Sequence, residues 1–208
     1  RISLRLSAFL SRFPNVIIAN SYVGRSFHES IGYSNKRFHV IHNGINAERF
    51  KPDRNTGTRV RVEWGIDKKT VLIGIMARID PMKDHPTFLK AVQNFIRRHN
   101  DVCFVCVGDG PVDYKEKLYL LSEELELRDF VIWAGLRSDM PAVYNALDIV
   151  TSTSSYGEGF SNVIAEAMAC GVPCVVTDVG DSALIIGDTG LVVPIKDPEA
   201  LAGGWRCM

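Results

Sequence analysis

An excess of charge of either sign is missing from this sequence: 24 lysines and arginines are matched by 24 aspartates and glutamates. That balance excludes the strong basic field of a nucleic-acid-binding domain, and no nucleic-acid partner is expected. Long apolar runs are missing too. No stretch approaches the roughly 20 residues that a membrane-crossing helix needs. The N-terminal residues carry no signal-peptide pattern, and the sequence opens on Arg1 rather than a methionine. Cysteines number five, an odd count without framework spacing, which points to a reducing cytosol rather than a disulfide scaffold. Cys103 and Cys106 form a C-x-x-C inside Val102-Cys-Phe-Val-Cys-Val107. Strand side chains alternate faces, so the two thiols should point apart and act as small buried hydrophobes rather than zinc ligands. His28, His39, His42 and His99 show no metal-ligand spacing either.

What is present reads as an ordinary globular composition, 46% hydrophobic and 23% charged. A length of 208 residues holds one large domain, or one domain and a piece of another. From Val71 onward, strand and helix patterns alternate. The apolar runs Val71 to Ala77, Val102 to Val107, Phe130 to Trp133, Asp148 to Thr151 and Pro173 to Thr177 read as buried strands. Between them, Phe88, Leu89, Val92, Phe95 and Ile96 share one helical face behind a capping Asp84. Tyr114, Leu118, Leu121 and Leu125 form a second such face. Met140, Val143, Tyr144 and Leu147 form a third, with Ser138 as its cap. Near-continuous strands alternating with amphipathic helices predict an α/β fold with a doubly wound parallel sheet, whose ligands bind at the carboxyl ends of the strands. The first 50 residues stand outside this series. Ile2, Leu6, Phe9 and Phe13 make a helical face with Arg1, Arg5 and Arg12 largely off it; Val16 to Ala19 reads as a strand and Val23 to Ile31 as a second helix. A basic amphipathic helix can touch an anionic membrane, but packing against further protein is the preferred role.

The most informative stretch is Glu158-Gly-Phe-Ser-Asn-Val-Ile-Ala-Glu166. Ser161 suits an N-cap, Asn162 to Cys170 are mostly helix formers, and Gly171 with Pro173 ends the run. Glu158 then lies in the loop before the helix and Glu166 inside it. The first helical N–H groups between them face outward unpaired, which suits a phosphate. A phosphate with a sugar on each side offers hydroxyls to both carboxylates, so the spacing suggests a nucleotide-sugar site.

Glu158 to Pro173, EGFSNVIAEAMACGVP, resembles the donor-site signature of retaining glycosyltransferases of family 4, which have the GT-B fold. His42-Asn-Gly-Ile-Asn46 with Phe50 and Pro52 resembles the segment where those enzymes cross between domains. Arg78-Ile-Asp-Pro-Met-Lys83 resembles their phosphate loop, and Gly108-Asp-Gly-Pro111, Gly190-Leu-Val-Val-Pro194 and Asp197-Pro-Glu-Ala-Leu201 follow in the family's order. The resemblance implies that residues 1–50 are a remnant of the acceptor-side domain with the crossover, and that 51–208 form a Rossmann-like donor domain. It also implies truncation at both ends, since Ala202-Gly-Gly-Trp-Arg-Cys-Met208 departs from the family's long helix and two glycines cost a helix about 2 kcal/mol.

For the chemistry, the resemblance implies that Arg78 and Lys83 stabilise the departing diphosphate; a cation about 4 Å from a phosphate oxygen gains about 4 kcal/mol at an effective dielectric near 20. By themselves the two read rather as solvated surface charges, and the glutamate pair beside them reverses that preference. Glu158 would hold hydroxyls of the donor sugar and Glu166 the ribose, with Gly159 giving close backbone approach and the N–H groups of Phe160, Ser161 and Asn162 binding phosphate. The base would rest on Gly135-Leu136-Arg137, with Arg137 either over the base or simply exposed. No metal cofactor is implied, and no Asp-x-Asp stands near a strand end. The implied donor is UDP- or GDP-linked and the acceptor a glycan or lipid-linked glycan in cell-surface polysaccharide synthesis, in the cytoplasm, with peripheral contact at the inner membrane face left open. Competing readings are a nucleotide-binding pseudoenzyme or regulatory module and a sugar-nucleotide epimerase of the same fold. Gly108-Asp-Gly110-Pro-Val-Asp113 mimics a dinucleotide fingerprint, but Asp113 stands where a third glycine belongs and the motif follows the second strand rather than the first. His85, at a helix start, reads as a surface histidine.

Overall fold

The computed structural model describes residues 2–208. Its first unit contains α1 (Ile2–Leu10), β1 (Ile17–Ala19), α2 (Tyr22–Ser30) and β2 (Phe38–Val40), with β1 and β2 paired in parallel, Ile17 opposite Phe38. Arg1 and the side chain of Ile2 lie outside the described residues. The helix ends at Leu10, so Phe13 falls beyond it, although its ring still meets Phe9 edge-on at 5.9 Å.

The larger unit runs α3 (Arg54–Glu63), β3 (Val71–Met76), α4 (His85–Ile96), β4 (Val102–Val107), α5 (Val112–Glu124), β5 (Val131–Gly135), α6 (Met140–Ala146), β6 (Ile149–Ser152), α7 (Asn162–Ala169), β7 (Cys174–Thr177), α8 (Ser182–Ile186), β8 (Leu191–Val193) and α9 (Pro198–Cys207). Its six strands lie in the order β5-β4-β3-β6-β7-β8, every neighbouring pair parallel. Counted from β3 this is the 3-2-1-4-5-6 order of a doubly wound sheet. Strand order reverses between β3 and β6, and a crevice opens there at the carboxyl ends. The α/β expectation holds.

Burial follows the strand period. β4 is buried along its whole length, and its two cysteines serve different cores. Cys106 packs with Ile73, Phe88 and Phe104 on one face, while Cys103 packs with Leu72, Val105 and Tyr144 on the other. Burial pushes the Cys106 thiol far up, so it stays protonated and inert.

Two local expectations need correction, and one segment given no element gains a helix. Asp139, not Ser138, occupies the N-cap place of α6, and its carboxylate makes no capping bond because Arg137 holds it. The segment 51–70, which showed no clear apolar face, contains α3. Asp53 caps it by accepting from the amides of Asn55 and Thr56. The sequence Ala202-Gly-Gly-Trp does not break a helix either: α9 runs through it. Gly204 is buried against the sheet, and a Cβ there would fall 2.7 Å from Val175 Cγ1. Trp205 packs among Phe88, Phe95 and Phe104, and its Nε1 donates to Thr151 Oγ1 at 3.0 Å. Close helix–sheet contact outweighs the propensity cost of the glycines.

Candidate functional site

Two loops flank the crevice at the β3/β6 switch. The one after β3 carries Arg78 and ends in a 3₁₀ turn, Pro81–Lys83, capped by Asp80, whose Oδ1 accepts from the Met82 amide at 2.8 Å. Asp84 follows in the left-handed region (φ 48°) and accepts from Thr87 Oγ1 at 2.7 Å, turning the chain into α4. The loop after β4 braces this one: Ile79 N donates to Asp109 O at 2.9 Å. Gly108 has φ +142°, and a Cβ there would collide with Ala77 O. The Gly-Asp-Gly motif is therefore a packing device between two loops, consistent with its failure as a dinucleotide fingerprint.

The loop after β6 lies on the Lys83 turn. Thr153 Oγ1 donates to Lys83 O at 2.6 Å and Ser155 N to Met82 O at 2.9 Å. This brings Lys83 and Glu158 together: the Lys83 Nζ donates to Glu158 Oε1, and Ser154 Oγ donates to the same oxygen at 2.6 Å. The side chains are only 18% and 9% exposed, so the pair is largely desolvated. A cavity of about 10 Å³ beside the pair is lined by Lys83, Ser154 and Ser161 among others. Arg78 is exposed and makes no ion pair or hydrogen bond among the described residues.

Ser161 takes the N-cap place of α7, but its buried hydroxyl makes no capping bond. The amides of Phe160, Ser161, Asn162 and Val163 donate to nothing among the described residues. With α7 behind them they form a concentrated donor site for an anion. Gly159 and Phe160 lie beside the crossover segment: the Phe160 ring stacks on His42, centroids 5.3 Å apart, and Asn43 Nδ2 donates to Asn162 Oδ1 at 2.8 Å. Glu166 sits one helical turn further in. Tyr144, fully buried on α6, donates its hydroxyl to Glu166 Oε2 at 2.8 Å. Burial, then the Glu166 carboxylate, pushes that phenol well up, so it remains a neutral donor.

The remaining predicted residues lie at β5, two strands from the switch. Gly135 ends that strand with φ +66° and accepts from Gly108 N at 2.8 Å. Leu136 projects outward, 80% exposed. Arg137 is not simply exposed, its side chain being 18% accessible. Its guanidinium is bound by Glu63 of α3 and by Asp139, and it lies over the Trp64 ring at 5.7 Å. Those carboxylates raise the Arg137 pKa further, and it in turn holds both below their usual range. His85 also departs from expectation. It is 1% exposed, its Nδ1 lacks a partner, and burial, aided by the Lys83 charge, lowers its pKa to about 4. The imidazole is neutral near pH 7.

Sequence reasoning missed Ser154 and Tyr144, the partners that orient the two glutamates. Their only sequence signal is a position at a strand end or on a neighbouring helix face. A second cavity, about 620 Å³, lies between α3 and α6 and is lined by Arg49, Lys51, Arg59 and Asn145 among others, with none of the predicted site residues. Among the described residues, no three His, Cys, Asp or Glu side chains group as a metal site, and no helix is long and apolar enough to cross a membrane.

The family model described as "Glycosyl transferases group 1" matches residues 69–206. A D-inositol 3-phosphate glycosyltransferase of Corynebacterium jeikeium is 34% identical over 170 residues, 77% of this chain and 40% of that protein. The lipopolysaccharide core biosynthesis mannosyltransferase LpsB of Rhizobium meliloti is 30% identical over 202 residues, 94% of this chain and 55% of the relative. Among solved structures, Anabaena Alr3699/HepE in complex with UDP-glucose superposes with a TM-score of 0.89 at 28% identity, covering 97% of this chain and 56% of that one. The chain thus spans about two fifths to just over half the length of these relatives.

Proposed function

This chain belongs to the group 1 glycosyl transferases, and from that premise we propose that it is the donor-binding part of a retaining enzyme. It would transfer a sugar from a nucleoside diphosphate to a glycan or glycolipid of the cell surface. The observation that carries the reading is the convergence at the β3/β6 switch of Lys83, Glu158 and the unpaired amides that open α7. Cations and amides receive the diphosphate, while the carboxylates on either side accept hydroxyls. The UDP-glucose bound by the Anabaena relative supports a nucleotide-sugar donor.

In this reading Arg78 and Lys83 hold the diphosphate and offset the charge that develops as the bond to the anomeric carbon breaks. They do so in place of a divalent ion. Glu158 orients the sugar, Glu166 accepts from the ribose, and Gly135, Leu136 and Arg137 bear the base, the Arg137 guanidinium being held by Glu63 and Asp139. The acceptor hydroxyl attacks on the face from which the phosphate departs. Its proton passes to the leaving phosphate oxygen, so the anomeric configuration is kept. Residues 1–50 belong to the acceptor-side unit and the crossover, and the enzyme works in the cytoplasm, against the inner membrane face where its acceptor is lipid-linked.

Calorimetric titration of the chain with UDP, GDP and ADP tests the reading, with one of them expected to bind selectively. Arg78→Ala and Glu166→Ala should each weaken that binding by about tenfold or more, the scale of a lost charge-assisted hydrogen bond. Equal affinity in wild type and both variants would remove the site assignment.

A further inference from the structure

Asp181 occupies the N-cap place of α8 but makes no capping bond there. Its carboxylate is 4% exposed and reaches another helix 159 positions upstream. Oδ2 accepts from the Tyr22 amide at 2.7 Å and Oδ1 from the Val23 amide at 3.1 Å. These are the first two amides of α2. The third, Gly24, donates to Ser21 Oγ at 3.0 Å, and the fourth, Arg25, to Ser21 O at 3.1 Å. The start of α2 is therefore fully satisfied, half of it by a residue of the other unit. His42 Nε2 lies 3.6 Å from the same carboxylate.

Asp181 is also fixed to the donor loop. Its own amide donates to Gly159 O at 3.1 Å. Gly180 before it has φ +64°, and a Cβ there would fall 2.7 Å from the carbonyl oxygens of both Glu158 and Gly159. From the opposite side, a Cβ on Gly159 would fall 2.9 Å from Ser21 Oγ. The backbone of Glu158-Gly159 is thus clasped between the start of α2 and the start of α8.

We propose that Asp181 is a positioning residue: by binding the first two amides of α2 it sets the backbone of the donor loop, and so the affinity of that loop for a nucleoside diphosphate. The affinity claim rests on the function proposed above, whereas the mechanical coupling does not. The carboxylate carries it because one charged group satisfies two helix-start donors at once, which an uncharged side chain cannot do equally well.

The test has two readings. Hydrogen exchange on the unliganded chain should be faster at Tyr22 and Val23 in Asp181→Ala, and faster also at the amide of residue 181, which holds the donor loop through Gly159 O, with Asp181→Asn intermediate. Tyr22→Pro removes one donor at a helix position where proline is accepted. It should reproduce the loop effect relative to Tyr22→Ala, which keeps the amide. Titration with UDP and GDP should then show Asp181→Ala weaker by about tenfold and Asp181→Asn partly restored. Faster exchange confined to α2, with the residue-181 amide that holds Gly159 O unchanged in both Asp181→Ala and Tyr22→Pro, overturns the proposal. If the wild type binds neither nucleotide while the loop still loosens, the coupling stands and the functional reading is what fails.

Discussion

Gly203 and Gly204 are adjacent in one helix, yet alanine at the two positions should act in opposite directions. At Gly203 the nearest atom to a new Cβ is the Arg206 guanidinium, at an ordinary 3.5 Å. Only helix propensity changes there, and alanine gains up to about 1 kcal/mol over glycine, nearer 0.5 in a last turn. At Gly204 the same gain meets a collision, with Val175 Cγ1 at 2.7 Å and Val193 Cγ1 at 3.4 Å. Both valines are buried, and a β-branched side chain has no second rotamer at low cost. Overpacking of this kind costs about 1–3 kcal/mol, which leaves a net loss of about 1–2. For a chain of this size each kcal/mol moves the midpoint by about 2–4 °C. Thermal and urea unfolding should therefore place Gly203→Ala about 1–2 °C above wild type and Gly204→Ala several degrees below. Equal shifts of the same sign would mean that propensity alone governs α9, and the argument from close helix–sheet contact would be wrong.

Two further outcomes follow from buried polar groups. His85 has a folded pKa near 4 against about 6.5 in the unfolded chain. The folded state refuses a proton that the unfolded state accepts. Stability from this group is thus complete above about pH 6.5 and falls as pH drops towards 4, by up to about 3 kcal/mol. Urea midpoints measured from pH 7 to 4 should decline less steeply in His85→Leu than in wild type, and parallel slopes would refute the assignment. Trp205→Phe keeps an aromatic ring beside Phe88 and Phe104 but leaves the Thr151 hydroxyl unpaired, at a cost of about 1–3 kcal/mol. Pairing it with Thr151→Val in a double-mutant cycle should recover part of that loss, and strict additivity would argue that the bond contributes nothing.

What the sequence revealed, and what it did not, divides along a physical line. β3 to β7 were legible because they are nearly continuous apolar runs, whereas β8, three residues long and partly exposed, was not. α4 was legible because Phe88, Leu89, Val92 and Phe95 all face one core. α3 was not, since its buried residues are only Gly57 and Val60 and its remaining positions are largely polar. The cap at Asp53 was the available signal. His85 was misread because Lys83 and Asp84 flank it, although the first turn of α4 already leans into the core through Thr87 and Phe88. The same limit applied at the site. Local spacing pointed to Glu158 and Glu166 but could not supply Ser154, Tyr144 or Asp181. Tyr144 and Asp181 become neighbours only once α6 packs beside α7 and α8 returns to the donor loop, and Ser154 bonds Glu158 through the shape of the loop between them.

That adjacency also bears on what the crevice selects. Lys83 and Glu158 neutralise each other, so the unpaired positive groups that face an arriving anion are Arg78 and the amides that open α7. On the proposed reading, a diphosphate that draws Lys83 to itself separates the pair. Glu158 then keeps the Ser154 hydroxyl but loses its cation, at a position where its side chain is 9% exposed. A carboxylate left unpaired under such burial is strongly destabilising, by about 3–5 kcal/mol when a buried pair is broken. Part of that cost is recovered only if new donors replace the ammonium. A bare diphosphate brings acceptors alone, whereas a sugar attached to it brings hydroxyls to the side from which Lys83 has moved. On that reading the ion pair would act as a discriminator: the cation recognises the phosphate, and the carboxylate it leaves behind requires the sugar.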